Sequence, residues 1–152
     1  MCGGASSVPM PPANERNLKK VTGFSGDTRA WYERACGYDR AGLERKAEPC
    51  YARVYENWRA LPKKEQPGFF LGYGSTLRNN RKFSRSLAVL EEGARRFPSY
   101  PALKVFLSLV SFDKKDFRKA ALLLFSSCLE MPESAWGGYS RAIKFYIGRL
   151  PE

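Results

Sequence analysis

The sequence contains no histidine at all. That absence removes the commonest general base, the usual triad base and the commonest metal ligand together. Paired cysteines are missing as well: the four present, Cys2, Cys36, Cys50 and Cys128, form no Cys-x-x-Cys pair, and their spacing matches no zinc site. There is no Gly-rich phosphate loop, no nucleophile with a recognisable base and no pair of carboxylates in an obvious pocket. The expectation is a protein that is not an enzyme and carries neither metal nor cofactor.

Long apolar runs are missing too. The longest, "VFLSLVSF" and "AALLLF", fall far short of the about 20 residues that span a bilayer, so no membrane segment is expected. The opening "MCGGASSVPMPPANERN" has no charged region followed by an apolar one, Cys2 follows no lipobox, and the second residue is not the glycine of a myristoylation signal. With unpaired cysteines and no export signal, the cytoplasm is the expected location. Rich in Gly, Ser, Pro and Asn, residues 1–24 read as a disordered leader, either a tail that binds something or an unstructured stretch whose first residues precede a true start at Met10. Residues 25–152 are long enough to bury a core as one domain.

What is present is a repetition. Phe83 and Phe117, Ser86 and Ala120, Leu90 and Leu124, and Pro98 and Pro132 are each separated by 34 positions. Within each copy the apolar residues fall at helical steps of four and three: Phe83, Leu87, Leu90, Ala94 and Phe97, then Phe117, Ala121, Leu124, Cys128 and Met131. Each series is stopped by its proline, which cannot continue a helical ladder and restrains the residue before it. Ahead of each lies another helical segment, "PGFFLGYGSTLRNN" and "YPALKVFLSLVSF". Pro67 and Pro101 suit first-turn positions, Ser99 an N-cap, and Asn79 and Asn80 a helix end.

An earlier copy lies 39 positions upstream, where Trp31 falls under Phe70, Ala35 under Gly74, Tyr38 under Leu77, Ala47 under Ser86 and Tyr51 under Leu90. The extra residues belong to the loop "ALPKKEQPG". The unit is helix, tight turn, helix, with repeats at about 28–60, 67–98 and 101–132. The final segment, "SAWGGYSRAIKFYIGRLPE", reads as a further helix at about 135–150 that caps the stack.

A period of 34 is that of the tetratricopeptide repeat, and the residue types agree. Trp31, Tyr38, Gly42, Ala47 and Tyr51 occupy the consensus places for Trp, Tyr, Gly, Ala and an aromatic; Gly74, Pro98, Ala120 and Pro132 do so in the later copies. Repeat three departs, with Lys104 where a large aromatic is expected and Ser108 in place of the small glycine. Small residues at Ala35, Gly74 and Ser108, and at Ala47, Ser86 and Ala120, would let paired helices approach closely. The chain therefore resembles tetratricopeptide repeat proteins. The strings "YDRAGLERKAEPCY", "LGYGSTLRNNRKFSRSLAVLEEG" and "ALKVFLSL" are similar to a bacterial family of small three-repeat proteins, over about residues 28–150. The resemblance implies an all-α, right-handed superhelix of three helix pairs plus a C-terminal capping helix, acting as an interaction module and able to self-associate. It also implies tolerance of a proline such as Pro49 inside a second helix.

Two surfaces follow. The first helix of each pair lines the concave wall, the usual seat of a peptide or partner helix. Its inward positions are Tyr32, Cys36, Arg40, Leu71, Ser75, Arg78, Asn79, Val105, Leu109 and Phe112, with Tyr139, Ile143 and Tyr146 from the cap. The places that would build a clamp for a C-terminal carboxylate hold Tyr32, Cys36, Gly72, Ala102 and Phe106, which excludes a clamp of that kind. Cys36 beside Arg40 is either a thiol of lowered pKa or a small apolar filler, and the second fits free cysteine better. The other surface is basic. The turns carry Arg40, Arg45 and Lys46, then Arg78, Arg81, Lys82 and Arg85, then Lys114, Lys115, Arg118 and Lys119, which stack as a ridge able to attract a polyanion. Asp39, Glu44, Asp113 and Asp116 dilute its ends, leaving the middle cluster the strongest. With 26 basic against 15 acidic residues in a chain of 152, the net charge of +11 agrees with either an acidic partner or nucleic acid, but no RNA-binding signature accompanies the ridge. The favoured reading is a protein-binding adaptor; polyanion binding is the alternative.

Overall fold

The computed structural model describes residues 27–130, together with Phe145. Among them the chain forms six α-helices and no strand: α1 (Thr28–Arg40), α2 (Glu44–Glu56), α3 (Gln66–Asn79), α4 (Phe83–Arg96), α5 (Ala102–Asp113) and α6 (Phe117–Leu129). A short 3-10 turn at Trp58–Ala60 follows α2. The leader, the expected capping helix and the groove positions Tyr139, Ile143 and Tyr146 lie outside the described residues.

Helix ends follow local chemistry. Asp27 caps α1 by accepting the Arg29 amide at 2.9 Å, and Asp116 caps α6 by accepting that of Lys119 at 3.1 Å. Pro67 sits in the first turn of α3, and Asn79 and Asn80 close that helix. At α5 the expectation fails. Pro101, with φ −62°, takes the N-cap position, and Ser99 lies in the turn before it. Pro101 has no amide proton to satisfy and its ring presets a helical φ, so the helix starts there without a side-chain cap. Pro49 lies inside α2, which continues through it, and its side chain faces solvent.

The three pairs α1–α2, α3–α4 and α5–α6 are closed by one and the same turn. The amides of Gly42, Arg81 and Lys115 bond the carbonyls of Asp39, Arg78 and Phe112 at 3.0, 2.8 and 2.8 Å; those of Leu43, Lys82 and Asp116 reach back to Tyr38, Leu77 and Ser111 at 2.9, 2.8 and 2.9 Å. This is the Schellman arrangement, which requires a left-handed residue. Gly42 (φ 67°), Arg81 (φ 61°) and Lys115 (φ 64°) supply it.

Packing runs along the chain. Each helix packs on the next, and the first helices also meet, α1 against α3 and α3 against α5, whereas second helices have at most marginal contact with one another. First helices thus form one continuous layer and second helices fan apart. The small residues work as expected. Ala35, Ala47, Gly74, Ser86, Ser108 and Ala120 are all buried. A Cβ at Gly74 would land on the Leu90 side chain, and one at Gly93 would collide with Phe70. The core concentrates around α3, where Phe69, Phe70, Tyr73 and Leu77 pack with Tyr51, Val54 and Leu90. The loop after α2 is part of it. Trp58 is buried edge-on against Phe70 at 5.0 Å and Phe97 at 6.2 Å, Leu61 is buried, and Gln66 donates to the Leu61 carbonyl at 2.9 Å.

The two apolar stripes differ. On α4, Leu90 is buried and Phe83, Leu87, Ala94 and Phe97 pack against the core beside it. On α6 the buried residues are the small Ala120 and Ser127, while Phe117 and Leu124 are 56% and 44% exposed. The large side chains of the α6 stripe are thus left partly open, and Phe117 meets α5 only through the rim of the pair, against Phe112.

Candidate functional site

The candidate wall is the layer of α1, α3 and α5, and the structure divides its residues into two sorts. On α1 and α3 most are engaged. Tyr32 is half-buried, its ring edge-on to Phe69 at 6.1 Å and its hydroxyl close over Gly68. Cys36 is half-buried with Sγ 3.8 Å from the Tyr51 hydroxyl. Burial pushes the Cys36 thiol up from its ordinary value despite nearby Arg40, in keeping with the small apolar filler of the two alternatives. Arg40 is exposed and donates from Nε to the Cys36 carbonyl at 3.2 Å. Leu71 packs against the core, Ser75 is half-buried, and Asn79 is exposed and donates to Glu44 at 3.3 Å. Arg78 bonds Asp113 at 2.5 Å, a tie between the ends of α3 and α5.

On α5 the wall is apolar and open. Val105 is half-buried, Leu109 is 39% exposed and Phe112 is 61% exposed. The Phe112 ring stands edge-on to Phe117 at 5.1 Å, so a pair of aromatics flanks the turn that carries Lys114 and Lys115. Open aromatic and aliphatic side chains on a rigid helix have the makeup of interface anchors.

Sequence reasoning missed a polar cluster behind the wall. Asp39 is half-buried and accepts hydrogen bonds from Thr76 Oγ1 at 2.8 Å and from the Tyr51 hydroxyl at 3.0 Å. Burial raises the Asp39 carboxyl, more than the two hydrogen bonds lower it. Tyr51 is likewise pushed up by burial, with Cys36 and Asp39 adding to it. Gly72 makes room, because a Cβ there would strike the Tyr51 hydroxyl. Asp39 therefore ties α1 to α2 and α3 instead of diluting the ridge from outside.

The ridge is less bare than its composition suggests. Lys82 and Arg85 both bond Glu48, at 2.6 and 3.4 Å, and Arg85 also donates to the Tyr73 hydroxyl at 3.0 Å. Lys119 pairs with Glu91 at 2.8 Å, and Lys114 reaches Ser84 at 3.5 Å. Burial opposes ionisation of Glu48, but the bonds from Lys82 and Asn80 and the charges of Lys82 and Arg85 outweigh it, so its carboxyl lies below its ordinary value. Lys46 lies 6.0 Å from the Tyr38 ring and Arg81 5.7 Å from that of Phe83. Arg45, Lys115 and Arg118 are exposed. The middle cluster, expected to be the strongest, is the one whose cations make several carboxylate contacts, Arg78 to Asp113 and Lys82 and Arg85 to Glu48. Glu48 carries no local signal of this, since Lys82 lies a whole repeat away.

Among the described residues no group of three or more metal-ligating side chains converges, and no helix is long and apolar enough to cross a membrane. Lys104, standing where an aromatic was expected, is bonded to Glu130 at the far end of α6, which fastens the third pair by charge. Comparison with curated proteins and with solved structures finds no match to this chain. The description "Tetratrico peptide repeat" is that of a family model that matches residues 28–150, and with three helix pairs closed by a common turn among the described residues, the chain belongs to the tetratricopeptide repeat family.

Proposed function

We propose that the protein is a non-catalytic adaptor that receives a peptide or partner helix on the concave wall of α1, α3 and α5. The observation that carries this reading is the open apolar pair Leu109 and Phe112 on the first helix of the third pair, in a family whose repeats commonly mediate protein interactions. The engaged residues Tyr32, Cys36, Leu71 and Arg78 shape the wall, and Val105, Leu109 and Phe112 anchor the partner. The cysteines Cys36, Cys50 and Cys128 are free, which fits work in the reducing cytoplasm.

Polyanion binding along the ridge is the second reading, supported by the exposed Arg45, Arg81 and Lys115 but weakened by the ion pairs of Lys82, Arg85 and Lys119. One experiment separates the two. Lysate is passed over the immobilised protein with and without nuclease, beside a Phe112→Glu variant whose helicity is checked by circular dichroism. A retained protein that survives nuclease and is lost with Phe112→Glu supports the wall. Retention that disappears with nuclease, and is unaffected by Phe112→Glu, supports the ridge instead. Self-association through the wall would show as a dimer in light scattering that the same variant dissociates.

A further inference from the structure

A cleft of about 380 Å³ opens where the α3–α4 turn meets α2, lined by Arg45, Glu48, Asn79, Asn80, Arg81 and Lys82. It lies where the wall and the ridge meet. Asn79 belongs to the wall helix α3, and Arg45, Arg81 and Lys82 belong to the ridge.

The floor is already satisfied. Glu48, only 13% exposed, accepts from Asn80 Nδ2 at 2.9 Å, Lys82 Nζ at 2.6 Å and Arg85 at 3.4 Å, and Glu44 accepts from Asn79. The guanidinium groups of Arg45 and Arg81 are not taken up by any carboxylate among the described residues. Arg81 is fixed from below, because its left-handed backbone sets it at the apex of the turn and its guanidinium lies over the Phe83 ring. Three cations, Arg45, Arg81 and Lys82, thus line the cleft with one carboxylate, Glu48, and the excess is positive charge with unused N–H donors. Forked donors of this kind match carboxylate oxygens in geometry as well as charge.

We infer that this cleft is a subsite for acidic side chains, and that the partner of the wall carries an acidic stretch which leaves the wall at the C-terminal end of α3. Acidic peptide is favoured over nucleic acid because the cationic track beside the cleft is interrupted. Successive phosphates need a continuous cationic track, whereas the neighbouring Arg78 and Lys119 are held by Asp113 and Glu91.

The inference deepens the adaptor reading, and its test is independent of that reading. Hexaglutamate, which has no apolar side chain, is titrated into the 15N-labelled full chain and followed by NMR. The expected result is saturable shifts at the amides of Asn80, Arg81 and Lys82 and at the Arg45 side chain. Arg45→Gln with Arg81→Gln should weaken binding by about tenfold or more, since two charge-assisted donors are lost. Lys114→Gln with Lys115→Gln removes the same charge from the next turn and should leave binding within about twofold. The inference is overturned if hexaglutamate shifts nothing there, if both double variants lose binding equally, or if hexathymidylate occupies the cleft more tightly than hexaglutamate. Failure here leaves the Phe112→Glu capture experiment untouched, and the reverse holds too.

Discussion

Asp39 shows how one residue changes meaning between sequence and structure. In the sequence it is one acid among the turn's basic residues. In the fold its two oxygens take the hydroxyls of Thr76 and Tyr51, from helices 37 and 12 positions away. Periodicity locates helix faces but contains no information on which polar atoms meet across pairs, so neither this cluster nor the Glu48–Lys82 pair was legible. Removing the side chain with Asp39→Ala would leave two hydroxyls without their acceptor, costing about 1–3 kcal/mol in urea unfolding. Asp39→Asn keeps an acceptor for Thr76 and drops the buried charge. Because the folded-state carboxyl lies above its unfolded value of about 3.9, the native state binds the proton more readily, and the charged form is a liability that grows as pH rises through the folded pKa. Asp39→Asn should therefore gain most over the native chain at neutral pH, with the gain shrinking towards zero as pH falls through that pKa. A gain that is the same at pH 7 and pH 4 would show that the carboxylate charge costs nothing. Glu48 and Glu92 run the other way: both are lowered, so their contribution is present at neutral pH and lost on acidification.

At the scale of the helix pair, much was readable. The offsets of 34 and 39 and the small residues at Ala35, Gly74 and Ser86 follow from how closely two helices must pack, and a sequence records that directly. The turn was only half readable. Gly42 announces a left-handed residue, whereas Arg81 and Lys115 occupy the same place without any sign of it. A left-handed non-glycine residue costs about 1–2 kcal/mol, and glycine would return part of that as about 0.5–1 kcal/mol of extra chain entropy lost on folding. Lys115→Gly should accordingly stabilise the protein by about 0.5–1 kcal/mol, seen as a higher urea midpoint at unchanged slope. The side chain of Lys115 is exposed, so little else is lost. A lower midpoint would mean that the lysine makes a contact worth more than the backbone cost. The loop "ALPKKEQPG" was the other gap: it reads as an insertion of polar residues, but Leu61 and the adjoining Trp58 anchor it in the core, and only the preceding tryptophan hints at this.

Across the whole molecule, stability is distributed unevenly, because a solenoid is held only by contacts between neighbours. The α3 helix is enclosed on several sides and buries Phe69, Phe70, Tyr73, Thr76 and Leu77, while α6 buries Ala120 and Ser127 and leaves Phe117, Leu124 and Phe125 exposed. Local opening should be costliest where large apolar side chains are fully enclosed. Hydrogen exchange followed by mass spectrometry should then be slowest for α3 and fastest for α6 among the described helices. Equal protection of the two would require the outer face of α6 to be covered in solution. Dilution identifies the cover: protection that persists on dilution belongs to the chain's own C-terminal residues, as a capping helix at 135–150 would provide, and protection that fades belongs to a second copy. In the second case Phe117 and Leu124 would join Phe112 in one apolar surface running from the wall around the end of the stack, and Phe112→Glu would speed exchange in α6 as well as abolish capture.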